Sequence, residues 1–391
     1  MQKPAPLLRT FMFGHFCNDF PTCAIWLIGP AVAVSMDLSP AELGLLFTLY
    51  SFGSALAYFP AGLIADHISN RGLMLLGTFW WVAIGFFVAS FAPGYWSLIL
   101  LLALAGTGDA AWHPIATGVL VQQNPVRKAH ALGMHALGGS FAEIIAPLAT
   151  GFVLAYVDWQ TALQLSVLPT VFMAVFFFRI VRHVPKGSGT RISISDLVVI
   201  WKTWKDPAGL KVILLISSYN MAMMALLSMV PLYMQRTYNM DTLSTGIAFS
   251  TMLLFGALAQ PLVGHFSDRI GRKPIALWGN LIAAISAGAA FFSLSLPFFM
   301  VAMIISISTM VAIRSVLLVT AVEHAGKKES TTLGLAFSLM DGIGAIGAVL
   351  AGLVGTIELE YVFLMAGMLS FCAFLTSLLS RVTIASVSDT L

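Results

Sequence analysis

Long apolar stretches follow one another along the whole chain, and short polar segments separate them. A stretch of about 20 apolar residues spans a bilayer as an α-helix, and lipid leaves irregular backbone without hydrogen-bond partners. The pattern therefore predicts an all-α membrane protein with twelve transmembrane helices. We place these spans at residues 9–36, 40–65, 72–92, 95–122, 129–157, 159–181, 209–235, 243–267, 273–294, 296–322, 330–356 and 359–381.

The composition excludes a soluble protein. Of the 391 residues, 59% are hydrophobic and 9% are charged, whereas soluble domains carry about 25% charged residues. The chain has no G-x-x-x-x-G-K-[ST] motif for phosphate, no G-x-S-x-G and no H-E-x-x-H. We therefore predict that it is not an enzyme and uses no cofactor. The expected partners are a small-molecule substrate, protons and the lipid bilayer, without nucleic acid, and we expect a monomer.

Basic residues fall almost entirely on one side of the predicted topology. If both termini are cytoplasmic, 18 of the 20 Lys and Arg residues lie in cytoplasmic segments. Arg236 falls outside, and Arg314 falls within a span. This asymmetry follows the positive-inside rule, so we predict a multi-pass protein of the cell's inner membrane.

The longest connection divides the spans six and six. We predict an N-terminal bundle over residues 1–181, a cytoplasmic linker over 182–208 and a C-terminal bundle over 209–391. The end of the linker, from Ile192 to Trp204, favours a short amphipathic helix on the membrane surface and a plain solvated linker equally.

One motif occurs twice, 202 residues apart. The second span ends in "GLIADHISNRG" and the eighth in "GHFSDRIGRKP". Glycine lets two helices approach closely, and an acid at the helix end can pair with a base in the following loop. Such contacts can hold helix ends together in one state and release them in another. The predicted gating residues are Gly62, Asp66, Arg71, Gly264, Asp268, Arg269 and Arg272.

This doubled motif resembles the loop motif of the major facilitator superfamily, and the resemblance extends over essentially the whole chain. It implies two six-helix bundles around a central cavity, with the first, fourth, seventh and tenth spans lining it. The second copy of the motif is complete. The first has Ser69 and Asn70 where the motif prefers Gly and Arg, which leaves Arg71 as its basic residue.

Two further stretches resemble a narrower group, the fosmidomycin resistance proteins among the drug exporters. They are "HFCND" in the first span and "GTGDAAWHP" in the fourth. The fifth span, "GGSFAEIIAPLATG", is similar to the antiporter motif of proton-driven exporters. It departs from that motif at Ala142 and Ala146, where glycines are expected, and at Glu143, where a small residue is usual.

Ionisable side chains lie within several predicted spans. Each one costs about 2.5–3.5 kcal/mol at the centre of a bilayer, so they must face a wet cavity or pair with one another. His15 and Asp19 are four residues apart and share a helix face, as do Asp109 and His113. The candidate substrate- and proton-binding residues are His15, Asn18, Asp19, Asp109, His113, Glu143, Asn220, Arg314 and Asp341.

Each of these candidates has a purely structural alternative. Asp109 and His113 could exchange a proton or form a clamp that never titrates. The polar residues of "HFCND" could bind substrate or lock the first span to the fifth. Glu143 could carry a proton or pack as a neutral residue, and His135 could act as a relay or as an ordinary histidine of the bundle.

The repeat offset places Arg314 at the depth of position 112, beside His113. Arg314 could bind an anionic substrate, or it could be the counter-ion of Asp341 or of Asp19 and Asp109. We favour an intramolecular pair, because a guanidinium suits carboxylates and stays protonated. The same offset maps Asn18 onto Asn220.

Together these features predict a secondary transporter that exports a small amphipathic, drug-like molecule or metabolite by proton antiport and alternating access. The alternative is a transition-metal or metallophore transporter in which Asp19, Asp109 and His113 supply the ligands. A proton-coupled importer and a carrier without ion coupling are further alternatives. An intramembrane enzyme with His113 or His135 as its base, or a receptor without flux, is less compatible with the motifs.

Overall fold

The computed structural model describes residues 5–124, 128–187, 204–325 and 329–379, and these residues form α-helices joined by short connections. The helices are α1 (Ala5–Ser35), α2 (Pro40–His67), α3 (Arg71–Ala89), α4 (Tyr95–Gln123), α5 (Lys128–Leu154), α6 (Trp159–Ser166), α7 (Leu168–Phe177), α8 (Pro207–Tyr238), α9 (Thr242–Ile270), α10 (Arg272–Phe291), α11 (Leu296–Ala325), α12 (Glu329–Gly344), α13 (Ile346–Gly355) and α14 (Tyr361–Leu379). A 3₁₀ turn, Val181–His183, follows α7.

Within the described residues, twelve helical segments are long and apolar enough to cross a membrane. The sixth is α6 and α7 together, and the eleventh contains α12 and α13 with a break at Ala345. The predicted all-α fold of twelve spans is therefore confirmed. The surface helix considered for Ile192–Trp204 lies, up to residue 203, outside the described residues.

Polar residues at the connections explain where several helices begin. Ser39 caps α2 in a capping box, in which Glu42 accepts from the Ser39 backbone N–H at 2.8 Å. Asp158 and Asp241 cap α6 and α9 by accepting backbone hydrogen bonds at 2.8 and 2.7 Å. Asn239 ends α8 in the left-handed conformation, at φ 51°.

The N-terminal and C-terminal halves repeat one packing pattern. In the N-terminal half, α1 packs along α5, and α4 packs between α2 and α3. In the C-terminal half, α8 packs along α12 and α13, and α11 packs between α9 and α10. The contacts between the halves follow the same two-fold relation, because α2 meets α12 and α13 while α5 meets α9.

We call the two ends of the bundle the Ser39 end and the Arg71 end, after the connections 36–39 and 68–70. At the Ser39 end the backbones of the two halves touch. A Cβ atom placed on Gly352 of α13 would lie 2.3 Å from the Pro40 carbonyl oxygen, and one on Gly151 of α5 would lie 2.6 Å from the Thr242 carbonyl oxygen. These contacts close the Ser39 end.

The halves separate between α5 and α9 toward the Arg71 end. A Cβ atom on Gly133 of α5, or on Gly264 of α9, would meet no atom within 4 Å. No described helix reaches that face of Gly264, so the close helix contact predicted there is not formed in this conformation, and a gating role for Gly264 stays a prediction. In contrast, α2 and α12 stay in contact toward this end, where Ser338 donates to the Ala55 carbonyl oxygen at 2.7 Å.

Candidate transport site

His15 and Asp19 lie one turn apart on α1, and their side chains meet. His15 Nε2 is 3.1 Å from Asp19 Oδ2, and His15 Nδ1 is 2.7 Å from the carbonyl oxygen of His135 in α5. Since a carbonyl oxygen only accepts, Nδ1 carries the hydrogen of that bond. On a neutral ring, Nε2 would then be an acceptor facing a carboxylate. A further proton must therefore lie on Nε2 or on Asp19.

Asn18 connects this pair to α4. Its Nδ2 lies 2.6 Å from Asp109 Oδ1 and 3.3 Å from Asp19 Oδ1, so one amide group contacts two carboxyl groups. Thr22 accepts from the Tyr50 hydroxyl at 3.1 Å and lies near the Asp109 carboxyl group. Asn18 is fully buried, and its Oδ1 has no hydrogen-bond partner among the described residues.

Asp109 and His113 share a face of α4, but each has its closest polar partner on α1. Asp109 accepts from Asn18, and His113 Nε2 lies 3.7 Å from Asp19 Oδ1. The pair predicted from the four-residue spacing is therefore part of a larger cluster, in which Asp19 lies between two imidazoles. We call His15, Asn18, Asp19, Asp109 and His113 the α1–α4 cluster.

His135 belongs to the packing around this cluster. Its ring stacks on that of His15, with centroids 4.2 Å apart, and the residue is buried. Its backbone carbonyl holds His15, which joins the first span to the fifth as the structural alternative expected. A relay role for the His135 ring stays a prediction.

The C-terminal half contains a counterpart of the Asn18–Asp109 contact. Asn220 of α8 donates to Asp341 Oδ1 at 3.2 Å and to the Met340 carbonyl oxygen at 3.0 Å. The side chain of Tyr58 in α2 lies near Asp341, across the boundary between the halves. Each half therefore has one acid that accepts a hydrogen bond from an asparagine amide.

Arg314 of α11 pairs with Glu143 of α5, with 2.5 Å between Arg314 Nη1 and Glu143 Oε1. The sequence predicted an intramolecular pair but assigned it to Asp341, or to Asp19 and Asp109, and that assignment is wrong. Repeat offsets report depth along a span, whereas the packing of the halves decides which side chains face each other. Glu143 Oε2 has no hydrogen-bond partner among the described residues.

These polar groups border open space in the middle of the bundle. The side chains of Arg314 and Glu143 keep 31% and 21% of their accessible surface, and those of Asp19 and His113 keep 15% and 14%. Because the Ser39 end is closed, this central cavity opens toward the Arg71 end between α5 and α9.

The two copies of the repeated Gly–Asp–Arg motif lie at the Arg71 end, and their gating role stays a prediction. In the second copy, Arg272 forms an ion pair with Asp268 and a second one with Glu323 of α11, at 3.3 Å, and Arg269 is exposed. In the first copy, Arg71 is buried and donates to the Ala65 carbonyl oxygen at 2.7 Å.

Arg71 also donates to Gln122 of α4 at 2.5 Å. Gly62 is buried, and the side chain of Asp66 lies outside the described part of the chain. In this state both copies therefore tie neighbouring helices of one half together.

Sequence reasoning missed Thr22, Tyr58 and Phe337. Tyr58 stacks on Phe337 of α12 with ring centroids 5.2 Å apart, and the His113 ring lies 5.9 Å from that of Tyr58. A tyrosine deep within a span was the available signal, because a buried hydroxyl group needs a hydrogen-bond partner. The neighbours of Tyr58, Phe337 and Asp341, lie on the other half of the chain, and no local spacing indicates them.

Among the described residues, two groups of side chains bring three metal-ligating atoms within 4.8 Å of one another: His15, His113 and His135, and Asp19, Asp109 and His113. The first group fits an ion poorly. An imidazole binds a metal in the plane of its ring, and the rings of His15 and His135 are stacked at an interplanar angle of 19°. The second group offers two carboxylates and an imidazole, which suit a divalent cation.

Comparison with known proteins agrees with this architecture. The model of the Major Facilitator Superfamily matches residues 11–256 and 212–388. The fosmidomycin resistance protein of Escherichia coli (strain K12) is 24% identical over 395 residues, which cover 97% of this chain and 92% of that protein. An uncharacterized MFS-type transporter of Bacillus subtilis (strain 168), YfnC, is 25% identical over 90% of this chain and 88% of its own length.

The fold also matches solved transporters. A bacterial homologue of the human lysosomal transporter Spinster, solved in an inward-facing and occupied conformation, superposes with a TM-score of 0.80. The sequences are 16% identical, and the match covers 97% of each chain. At this identity the likeness shows the fold alone.

Proposed function

The chain belongs to the Major Facilitator Superfamily, a family of transporters, and from this premise we propose that it exports a small amphipathic molecule in exchange for protons. The proton shared by His15 and Asp19 carries this proposal. It lies in the middle of a membrane-spanning bundle, on side chains that border a cavity. A proton held there can be exchanged with whichever side of the membrane the cavity faces.

Competition for the carboxyl groups couples the proton to the substrate. While Asp19 shares its proton with His15, the pair is neutral as a whole, and a closed cavity is then less costly. A substrate that interacts with Asp19 displaces this proton. The two halves then rock about the contact between α2 and α12, and the cavity faces the opposite side.

The ion pair between Glu143 and Arg314 lies across the boundary between the halves, so such a movement has to change it. While the pair is intact, neither group is available to substrate. When it separates, Glu143 can take a proton and Arg314 can meet another carboxyl group, whereas Arg314 itself stays charged. This gives the transporter a second site where protonation and conformation are connected.

The distribution of basic residues assigns the Arg71 end to the cytoplasm in this proposal. Both termini are then cytoplasmic, the protein lies in the inner membrane as a monomer, and the conformation described here is open to the cytoplasm. Asp268 and Arg272 form part of the gate at that end. The similarity to a fosmidomycin resistance protein supports export as the direction.

Proton movement in vesicles tests the proposal. Purified protein is reconstituted with a pH-sensitive dye inside the vesicles, and a pH gradient is imposed. Fosmidomycin, ethidium and glucose are then added one at a time. We expect at least one of them to dissipate the gradient with the wild type and with Asp241→Asn, in which the capping oxygen outside the cavity is retained.

Asp19→Asn is the informative variant. The amide introduced by this substitution can donate to His15 Nε2, so the contact survives while the exchangeable proton is lost. We expect the coupled flux to be at least about tenfold lower in this variant, which corresponds to a rise of about 1.4 kcal/mol in the barrier to transport. Equal coupled flux in Asp19→Asn, or no proton movement with any of the three solutes, contradicts proton antiport through this site.

The group of Asp19, Asp109 and His113 favours divalent metal transport as the second candidate function. Under that alternative, Zn²⁺ or Ni²⁺ alone would enter vesicles that contain a metal-sensitive dye, and His113→Ala would abolish the signal. Under proton antiport of an organic solute, neither ion moves faster than in protein-free vesicles.

A further inference from the structure

Two carboxyl groups in the cavity wall form no ion pair in the part of the chain that the structure describes, although His113 lies within 4.8 Å of Asp109. Asp109 accepts from the Asn18 amide, and Asp341 accepts from the Asn220 amide. In contrast, Asp19 has His15, and Glu143 has Arg314. A carboxyl group at this depth that meets only neutral donors must bind a proton or receive a cation.

Two hydrogen-bond acceptors in the same region have no donor among the described residues. Asn18 is fully buried within the α1–α4 cluster, yet its Oδ1 has no partner among the described residues. Turning the amide over would leave the imbalance in place, because its oxygen would then face the oxygens of Asp19 and Asp109. Glu143 Oε2 is a second acceptor without a donor. A ligand that satisfies these groups has to bring N–H or O–H donors.

We propose that the cargo of this cavity is an organic cation with N–H donors, such as a protonated amine or an amidinium. The inference deepens the proposed function and rests on the same site. An ammonium group supplies both the missing positive charge and the missing donors. The stacked rings of Tyr58 and Phe337 lie beside His113 and offer a surface for the apolar part of such a cation.

Binding of the cation replaces protons on the two acids. The cargo takes the position of a proton on Asp109 or Asp341, and the released proton leaves through the open side of the cavity. The charged and titratable side chains around these acids are His15, Asp19, Cys23, Tyr50, Tyr58, His113, His135, Glu143, Tyr219 and Arg314. Arg314 is the one permanent cation in this set, and Glu143 already neutralises it.

A matched set of ligands tests the proposal on the purified full-length protein. The set is phenylbutylamine, its neutral N-acetyl derivative, its trimethylammonium analogue without N–H donors, and the anion phenylbutyrate. Calorimetry at neutral pH in two buffers of different ionisation enthalpy gives the affinity and the protons released. We expect the amine to bind at least about tenfold more tightly than each of the other three ligands, and to release a proton.

Variants then assign the effect to the two acids. Asp109→Asn and Asp341→Asn should each weaken amine binding by about tenfold and reduce proton release, whereas Asp241→Asn should keep both. Thermal melting of each variant confirms that it is folded, and if Asp109→Asn fails to fold, Asp341→Asn alone decides. Phenylbutyrate or the acetylated amine binding as tightly as the amine overturns the proposal, as does amine binding that both folded variants retain.

Amine binding to the purified protein and proton flux in vesicles can succeed or fail independently. If the amine binds and displaces a proton but no solute moves protons across vesicles, the cation inference stands and the transport proposal fails. If fosmidomycin drives proton flux while the amine does not bind, transport stands and the cation inference is overturned.

Discussion

Arg314 in α11 and Glu143 in α5 form an ion pair between the two halves of the molecule, with Arg314 Nη1 2.5 Å from Glu143 Oε1. Glu143→Gln leaves the guanidinium without its counter-charge, and Arg314 cannot neutralise itself by losing a proton. Removing one partner of a buried ion pair lowers the free energy of unfolding by about 3–5 kcal/mol. Because this pair is partly exposed, we expect Glu143→Gln to lower it by about 2 kcal/mol.

Thermal melting in detergent measures this effect, and two further variants provide the control. Arg314→Gln should destabilise the protein less than Glu143→Gln, because Glu143 can take up a proton once its partner is gone. The double variant should recover most of the loss, since it leaves no unpaired charge. If Glu143→Gln melts at the wild-type temperature, the pair contributes nothing to the stability of this conformation.

The features that the sequence predicted correctly are local ones. Span lengths follow from apolar composition over about 20 residues, and the contact between His15 and Asp19 follows from helical spacing. The partner of Arg314 was not predictable in this way, because Glu143 lies 171 positions away on the other half. The Tyr58–Asp341 contact was missed for the same reason. No local pattern encodes which faces of two separate bundles meet.

Asp241 caps α9 at the Ser39 end, and its pKa lies below the usual value because the backbone N–H of Ser244 donates to the carboxylate. Because the pKa of Asp241 is lower in the folded state than in the unfolded state, the ionised cap stabilises the fold at pH values above the unfolded-state pKa. This stabilisation is lost as the pH falls through the folded-state pKa. We therefore expect Asp241→Ala to melt below the wild type at neutral pH. The difference should shrink as the pH falls below about 4.

Melting curves across this pH range test the cap, and Asp241→Asn is the reference. Asparagine keeps an oxygen acceptor for the Ser244 N–H but has no charge to lose. The difference in melting temperature between Asp241→Asn and Asp241→Ala should therefore stay constant with pH. If the wild type melts as far above Asp241→Ala at the lowest pH as at neutral pH, ionisation of Asp241 does not contribute to the stability of the fold.

Gly352 tests the closure of the Ser39 end. A Cβ atom at this position would lie 2.3 Å from the Pro40 carbonyl oxygen, so Gly352→Ala has to push α13 away from α2. Overpacking of this kind costs about 1–3 kcal/mol, and we expect a lower melting temperature. Gly264→Ala is the matched control, because a Cβ atom there meets nothing within 4 Å. It should be neutral or slightly stabilising, since alanine favours helix. Equal effects of the two variants contradict tight packing between the halves at Gly352.

Thr48 of α2 binds the break between α12 and α13. Its hydroxyl group donates to the Ala345 carbonyl oxygen at 2.7 Å and accepts from the Val349 N–H at 2.9 Å. The Ala345 carbonyl oxygen also accepts from the Ala348 N–H at 3.0 Å, so Thr48→Val removes two hydrogen bonds between the halves but leaves only the Val349 N–H without the partner described here. Losing that partner should cost about 2 kcal/mol.

Two substitutions separate this contact from a general loss of a hydroxyl group. Thr48→Ser keeps the oxygen and should melt close to the wild type. Thr251→Val removes a hydroxyl group that bonds only the Ile247 carbonyl oxygen within its own helix, and it should change stability by less than about 0.5 kcal/mol. If Thr48→Val is no less stable than Thr251→Val, the break in the eleventh span is held by its own helix and not by the opposite half. If the loss appears only in Thr48→Val, this hydroxyl group helps to hold the Ser39 end closed, and the two halves must release it before the cavity can open on that side.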